Sequence, residues 1–180
     1  MAKLKGSKTE KNIRAAFVSE AQAHTKYLYY ASQAEKDGYL QIGALFWETA
    51  LNEKEHAKIW YKLLHGNKVP PTSVNIKSAA NEEKLKYADM YVEFAKTARE
   101  EGLDHIADLF EKVGRIERKH EERYHRLLAN VEEGQVFSRK DEQLWQCANC
   151  GHIITDKNSP DLCSVCKHPK AFFKIYTENF

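Results

Sequence analysis

Shifted by 64 positions, the first part of this chain lies on itself. Tyr27 falls on Tyr91, Ala31 on Ala95, Ala34 on Ala98, Gly38 on Gly102, Ile42 on Ile106 and Leu45 on Leu109. Phe46 then falls on Phe110, Glu53 on Glu117, His56 on His120, Leu63 on Leu127 and Leu64 on Leu128. Chance supplies about two or three identities over such a window, so the segment is a duplication. Each copy reads as two helices. From Thr9, an N-cap, apolar residues Ile13, Phe17, Ala21, Leu28 and Ala31 recur at helical spacing until Gly38 offers a C-cap. A second helix is predicted from about Leu40 to His65, before Gly66-Asn67. Val69-Pro70-Pro71-Thr72 excludes regular helix, so a third is predicted from near Ala79 to Gly102 and a fourth from Leu103 to about Val131. Two helical hairpins make a four-helix bundle.

After Gly134 the pattern changes. A polar run, Ser138-Arg139-Lys140-Asp141-Glu142, leads to a cysteine-rich segment with short aromatic, strand-like stretches at 144–146 and 171–176. Residues 1–137 are therefore expected to form the bundle and 138–180 a small β module. Charge narrows the function classes. The chain's 28 Lys plus Arg against 26 Asp plus Glu give a formal +2, with no basic block to clamp a phosphate backbone, so nucleic acid is not an expected partner. No stretch approaches the roughly 18 apolar residues of a spanning helix, so neither is a membrane. The start, Met1-Ala2-Lys3-Leu4-Lys5, lacks the apolar run of a signal peptide, and a cytoplasmic location is expected.

The duplicated residues include Glu-x-x-His twice, as Glu53 with His56 and Glu117 with His120. Positions three apart share one helix face, so a carboxylate and an imidazole can reach the same ion. One such pair alone is an ordinary solvated face, and Glu122 with His125 is a third instance; only the first two have a mate at 64 residues. The other two helices each offer one carboxylate among apolar and aromatic neighbours, Glu20 seven residues before Tyr27 and Glu83 eight before Tyr91. An unpaired carboxylate there would cost several kcal/mol unless it met a cation. Glu20, Glu53, His56, Glu83, Glu117 and His120 are the inventory of a di-metal site in a bundle core. Oxygen-rich ligation with two imidazoles suits iron or manganese better than structural zinc.

Cys147-x-x-Cys150 and Cys163-x-x-Cys166, with twelve residues between the pairs, have the spacing of two metal-binding knuckles. In a reducing compartment such a cluster reads as a metal site, not disulfides. Four thiolates accept zinc or a single iron, and spacing does not choose between them. The neighbouring di-metal site favours iron, which passes one electron at a time.

These residues together resemble the rubrerythrin family, a ferritin-like di-iron bundle followed by a rubredoxin-like domain. The likeness runs from Gly6-Ser7-Lys8-Thr9-Glu10-Lys11-Asn12 through Glu20, Glu53-x-x-His56, Met90-Tyr91, the run Phe94 to Gly102 and Glu117-x-x-His120 to the two cysteine pairs. The resemblance implies reduction of hydrogen peroxide to water, protecting an anaerobe or microaerophile from oxidative stress. It implies two iron ions on the six Glu and His residues, one iron on the four cysteines, and Tyr27 and Tyr91 hydrogen-bonded to iron-bound carboxylates. Typical members carry a further carboxylate one turn after the third-helix ligand, which exchanges with the first Glu-x-x-His histidine as iron changes oxidation state. Here that position is Lys86. A protonated lysine cannot ligate, so His56 is expected to remain a ligand in both states.

In the expected site Glu53 and Glu117 bridge the irons, Glu20 and Glu83 are terminal, and His56 and His120 each bind one iron. The linker starts the cysteine module at one end of its own bundle, which makes a partner's bundle the expected electron acceptor and a head-to-tail homodimer the expected assembly. Helices of about 25 residues span nearly 40 Å, and the thirteen residues 66–78, fully extended, reach only about 43 Å. Exchange of hairpins between subunits is therefore a second expectation. Without a glycine-rich dinucleotide fingerprint, NADH is not expected to bind directly; a separate NAD(P)H-dependent reductase or a small electron carrier would feed the cysteine iron. Two competing readings are a ferritin-type ferroxidase with a structural cysteine site, and a zinc-ribbon interaction module on a helical scaffold.

Overall fold

The computed structural model describes residues 4–178, so Met1-Ala2-Lys3, part of the segment read for a leader, lie outside the described residues. The chain divides into two compact units, residues 1–70 and 71–180.

The first unit is a helical hairpin, α1 (Lys8–Lys36) and α2 (Leu40–Leu64). The N-cap of α1 is Ser7, not the expected Thr9: its hydroxyl accepts from the Glu10 amide at 3.0 Å, while the Glu10 carboxylate accepts from the Gly6 amide at 2.6 Å. Two orphan amides are satisfied by residues three apart, an arrangement close to a capping box. Gly38, at φ +85°, takes the left-handed conformation that turns the chain, and the Tyr39 amide reaches back to the Ala34 carbonyl at 2.8 Å. Gly102 repeats this at φ +75° in the second unit, with the Leu103 amide 2.7 Å from the Ala98 carbonyl.

Small residues bring the helices together. Gly43, Ala50 and Ala57, seven apart along α2, are buried, as are Ala31 and Ala34 of α1. A Cβ on Gly43 would lie 2.9 Å from Glu35 Cγ and 3.3 Å from the Ala31 carbonyl, which is why no larger residue fits there. Four large apolar residues of α2 lie off that seam, Ile42, Leu45, Ile59 and Leu63 all being exposed, while Phe46 and Tyr61 pack on aromatic rings of α1.

The second unit begins with α3 (Thr72–Leu85), seven residues earlier than the expected start at Ala79. Pro70 and Pro71 do not exclude helix there; they precede it. Pro71 is the N-cap, and its carbonyl accepts the first helical bond from the Asn75 amide at 3.0 Å. The connection from α2 is therefore residues 65–71, not 66–78. A five-residue π-turn, Lys86–Met90, separates α3 from α4 (Tyr91–Glu100), where one continuous helix was expected. Helix α5 (Asp104–Glu132) packs against all three segments, its buried Ala107 and Gly114 standing where α2 has Gly43 and Ala50. Ala95, Ala98 and Ala107 form the core with Ile106 and Phe110.

The cysteine module follows as a three-stranded antiparallel sheet in the order β2-β1-β3: β1 (Ser138–Cys147), β2 (Ile153–Asn158) and β3 (Phe173–Ile175). Trp145, fully buried, pairs with Ile154 on one side and Ile175 on the other, and its indole N–H donates to the Asp156 carbonyl at 3.0 Å. With Cys147, Cys163 and Phe173 it makes a core of its own. The architecture is thus mainly α, four helical segments of bundle type followed by a small β module with a cysteine cluster, as expected.

Candidate metal centres

Each helical unit gathers three of the six expected ligands. In the first, Glu20 from α1 meets Glu53 and His56 from α2, their donor atoms all within 4.8 Å of one another. His56 Nδ1 lies 2.9 Å from Glu53 Oε2, and the contact with His56, assisted by one from Glu20, holds the Glu53 carboxyl below its ordinary value. In the second, Glu83 from α3 meets Glu117 and His120 from α5. His120 Nδ1 is 2.8 Å from Glu117 Oε2 and 4.0 Å from Glu83 Oε2. Burial pushes the Glu117 carboxyl up, but contacts with Glu83 and His120 and the nearby charge of Lys86 outweigh it, and the net shift is downward.

The side chains of Glu53, Glu83 and Glu117 are only 18%, 13% and 14% exposed, so water screens their charges poorly. Paired carboxylates so placed repel unless a proton or a cation lies between them. With an imidazole beside each pair, the donor sets fit hard or borderline divalent ions.

Lys86, the first residue of the π-turn, points into the second trio. Its ammonium is 3.1 Å from Glu83 Oε2 and 4.0 Å from Glu117 Oε1. Burial pulls its pKa down, but the bond to Glu83 and the two carboxylate charges raise it overall, keeping the ammonium charged.

The π-turn itself escaped the sequence reading, though its trace was visible. Glu20 stands seven residues before Tyr27 and Glu83 eight before Tyr91. A π-turn absorbs one extra residue in a helix, and here it does so between Glu83 and Tyr91, so that Glu83 still meets Glu117. The two tyrosines occupy equivalent aromatic clusters. Tyr27 packs near Phe46 at 6.1 Å between ring centres, and Tyr91 near Phe110 at 5.9 Å.

The four cysteines converge with all sulfurs within 4.8 Å. Cys147 and Cys166 sulfurs are 3.6 Å apart and those of Cys150 and Cys163 3.7 Å, far beyond a disulfide bond and close to the ~3.8 Å edge of a tetrahedron with ~2.3 Å metal–sulfur bonds. The two knuckles have one design. The Cys147 amide donates to the His152 carbonyl and the Cys163 amide to the His168 carbonyl, each at 2.8 Å. The residue after each second cysteine, Gly151 at φ +78° and Lys167 at φ +60°, is left-handed. The backbone amide of His168 then reaches the Cys166 sulfur and holds its pKa down to about 5, a thiolate at neutral pH.

Helical hairpins carrying carboxylate and histidine trios, followed by a four-cysteine knuckle module, define a bundle-type di-metal protein with an attached mononuclear metal site. The rubrerythrin family model matches residues 11–128, and that of the rubrerythrin rubredoxin-like domain matches residues 145–174. A rubrerythrin of Porphyromonas gingivalis is 44% identical over 98% of this chain and 94% of its own. One from Nitratidesulfovibrio vulgaris is 41% identical over 100% of both. A solved structure of partially reduced nigerythrin is 30% identical, covering 94% of this chain and 87% of that one at a TM-score of 0.35, and the assignment rests on the sequence matches. The chain belongs to the rubrerythrin family. It is a di-iron protein of oxidoreductase type with a rubredoxin-like four-cysteine iron site, from a family that serves oxidative-stress protection. Among the described residues no helix is long and apolar enough to cross a membrane.

Proposed function

We propose that the protein is a peroxidase that reduces hydrogen peroxide to water, H2O2 + 2 e⁻ + 2 H⁺ → 2 H2O. The observation that carries this reading is the presence in one chain of two Glu-Glu-His trios and a four-thiolate site. When bound, an iron pair would supply the two electrons that break the oxygen–oxygen bond, and an iron on the four cysteines would supply one-electron transfer. Glu20, Glu53, His56, Glu83, Glu117 and His120 hold the pair. Tyr27 and Tyr91, whose rings pack on Phe46 and Phe110, would orient its carboxylates. Electrons come from a separate NAD(P)H-dependent reductase or small carrier. Anaerobic reduction followed by rapid mixing with peroxide tests the reading: the visible absorption of the cysteine iron should return, with water as product. Ferric mineral accumulating without that reoxidation would favour a ferroxidase, and zinc in both sites would exclude redox chemistry.

The expected partner in assembly is a second copy. Arg139 bonds Asn130 at 3.0 Å, tying the cysteine module to α5 ten residues, about 15 Å, beyond His120. That offset favours electron delivery to a partner's centre in a head-to-tail dimer. The connection 65–71 bears on hairpin exchange: seven residues reach about 25 Å, whereas the 25 residues of α2 span about 37 Å. A parallel crossover within one bundle is out of reach for so short a link, which favours centres built from the first unit of one subunit and the second unit of its partner.

A further inference from the structure

We propose that the second cysteine knuckle is the docking surface for the electron donor, that Lys167 is its cationic recognition residue, and that the donor is a small electron-transfer protein with an acidic surface. The inference rests on the reading of the four-cysteine site as the electron entry and adds the chemistry of the partner to it.

The two knuckles share one backbone design, so each serves as a control for the other. Where the first has Gly151 at φ +78°, the second has Lys167 at φ +60°, a left-handed conformation that a side chain reaches only at a cost glycine avoids. The lysine ammonium folds back and donates to the Ser164 carbonyl at 3.0 Å, which tethers its charge to the loop between Cys163 and Cys166 while the residue stays exposed. An ammonium has three donors, so two are left for a partner. Other charges near the knuckles are absent or cancelled. Residues 147–153 contain no Lys, Arg, Asp or Glu, and Lys170 pairs with Asp161 at 2.8 Å. Among the described residues no carboxylate pairs with Lys167. Beside this charge the surface is apolar: Leu162 and Val165, next to Cys163 and Cys166, are 55% and 64% exposed. Ser164 Oγ lies 3.1 Å from His152 Nε2, which joins the loop to the first knuckle. An apolar centre with a charged rim suits a transient partner, and the rim charge selects its sign. A ferric ion of +3 on four thiolates of −1 sums to −1, so an acidic donor is repelled by the group it must reduce unless a cation stands at the contact. Lys167 is that cation. One electron leaves the donor and reduces ferric to ferrous ion at the thiolates; no bond forms or breaks.

The test is anaerobic stopped-flow reduction of the full-length protein, with iron on its four cysteines, followed by the loss of visible absorption. Three donors are compared: the hydroquinone of an acidic flavodoxin, free reduced flavin mononucleotide, and the methyl viologen radical cation. Lys167→Glu should slow reduction by flavodoxin about tenfold or more and abolish its sensitivity to salt, while the viologen rate does not fall. Lys167→Arg should keep the wild-type rate, and Val165→Asp should slow flavodoxin alone. Lys167→Gly, which relieves the backbone, should melt no lower than the wild type and still slow flavodoxin, a combination that a purely structural lysine does not produce. An unchanged flavodoxin rate in Lys167→Glu would overturn the proposal. So would an equal slowing by viologen, which places the effect on the iron and not on the contact, or an equal slowing by free flavin mononucleotide, which marks a site for small anions. Loss of a dimer in Lys167→Glu, read by sedimentation, would assign the surface to a second copy instead. Peroxide turnover with methyl viologen as donor tests the peroxidase reading separately, so the two can fail independently.

Discussion

Glu53 and Glu117 each touch a histidine and a second carboxylate, and both are held below the ordinary carboxyl value of 4.5. A carboxyl whose folded pKa is depressed stabilises the folded chain above its unfolded pKa, and that contribution is lost as pH falls through the lowered value. The metal-free protein should therefore keep a level melting midpoint from about pH 7 to 5 and lose stability below about 4.5. The drop should be smaller in the double variant Glu53→Gln, Glu117→Gln, as read by circular dichroism melts. In the loaded protein Glu117→Gln alone should lower peroxide turnover about 100-fold or more, since one ligand of the pair is weakened. Cys163→Ala should abolish the four-cysteine iron in metal analysis while Mn²⁺ uptake by the bundle persists, because the two donor sets share no residue. These residues were legible in the sequence because ligand chemistry restricts residue type and duplication printed the pattern twice. The pairing of Lys86 with Glu83 and Glu117 was not: sequence showed a lysine unable to ligate, and only the folded turn showed where its charge goes.

Among the elements, the π-turn has the sharpest consequence. Deleting Asp89, an exposed residue within it, should restore regular α-helix and rotate Glu83 by about 100° against Tyr91 and Glu117. Helix content by circular dichroism should hold, while Mn²⁺ uptake at the second trio falls at least tenfold. The spacing of seven against eight residues carried this information, but a one-residue misfit in a repeat equally well describes drift, and hydrogen bonding alone reveals how it is absorbed. The early start of α3 has a similar cause. Two prolines read as a break, yet a proline before the first turn lacks only an amide that would have had no partner. Helix ends elsewhere were legible because Gly38 and Gly102 have a backbone conformation that other residues reach at a cost.

For the whole molecule, the hairpin-exchange proposal has a direct genetic test. One chain carries Glu53→Ala and His56→Ala, the other Glu117→Ala and His120→Ala. If subunits exchange hairpins, a mixed dimer contains one site with both halves damaged and one with both intact. Random pairing makes half of all dimers mixed, so co-refolded chains should recover about a quarter of wild-type peroxide turnover. With each centre confined to one chain, every site is damaged and nothing is recovered. The sequence already gave a connection barely sufficient for a crossover; the structure shortened it, because helix begins at Thr72.

The seven-residue connection also makes abundance a variable of the chemistry. In an exchanged dimer, no chain completes a centre alone, so metal occupancy follows mass action between subunits as well as between protein and ion. Diluting the protein below its dimer dissociation constant should release the bundle metals while the cysteine iron, held within one short stretch of a single chain, stays bound. A cell making little of this protein would then carry single chains with one site filled and the other unassembled, and rising expression would switch the centres on with a steepness that no single-chain bundle has.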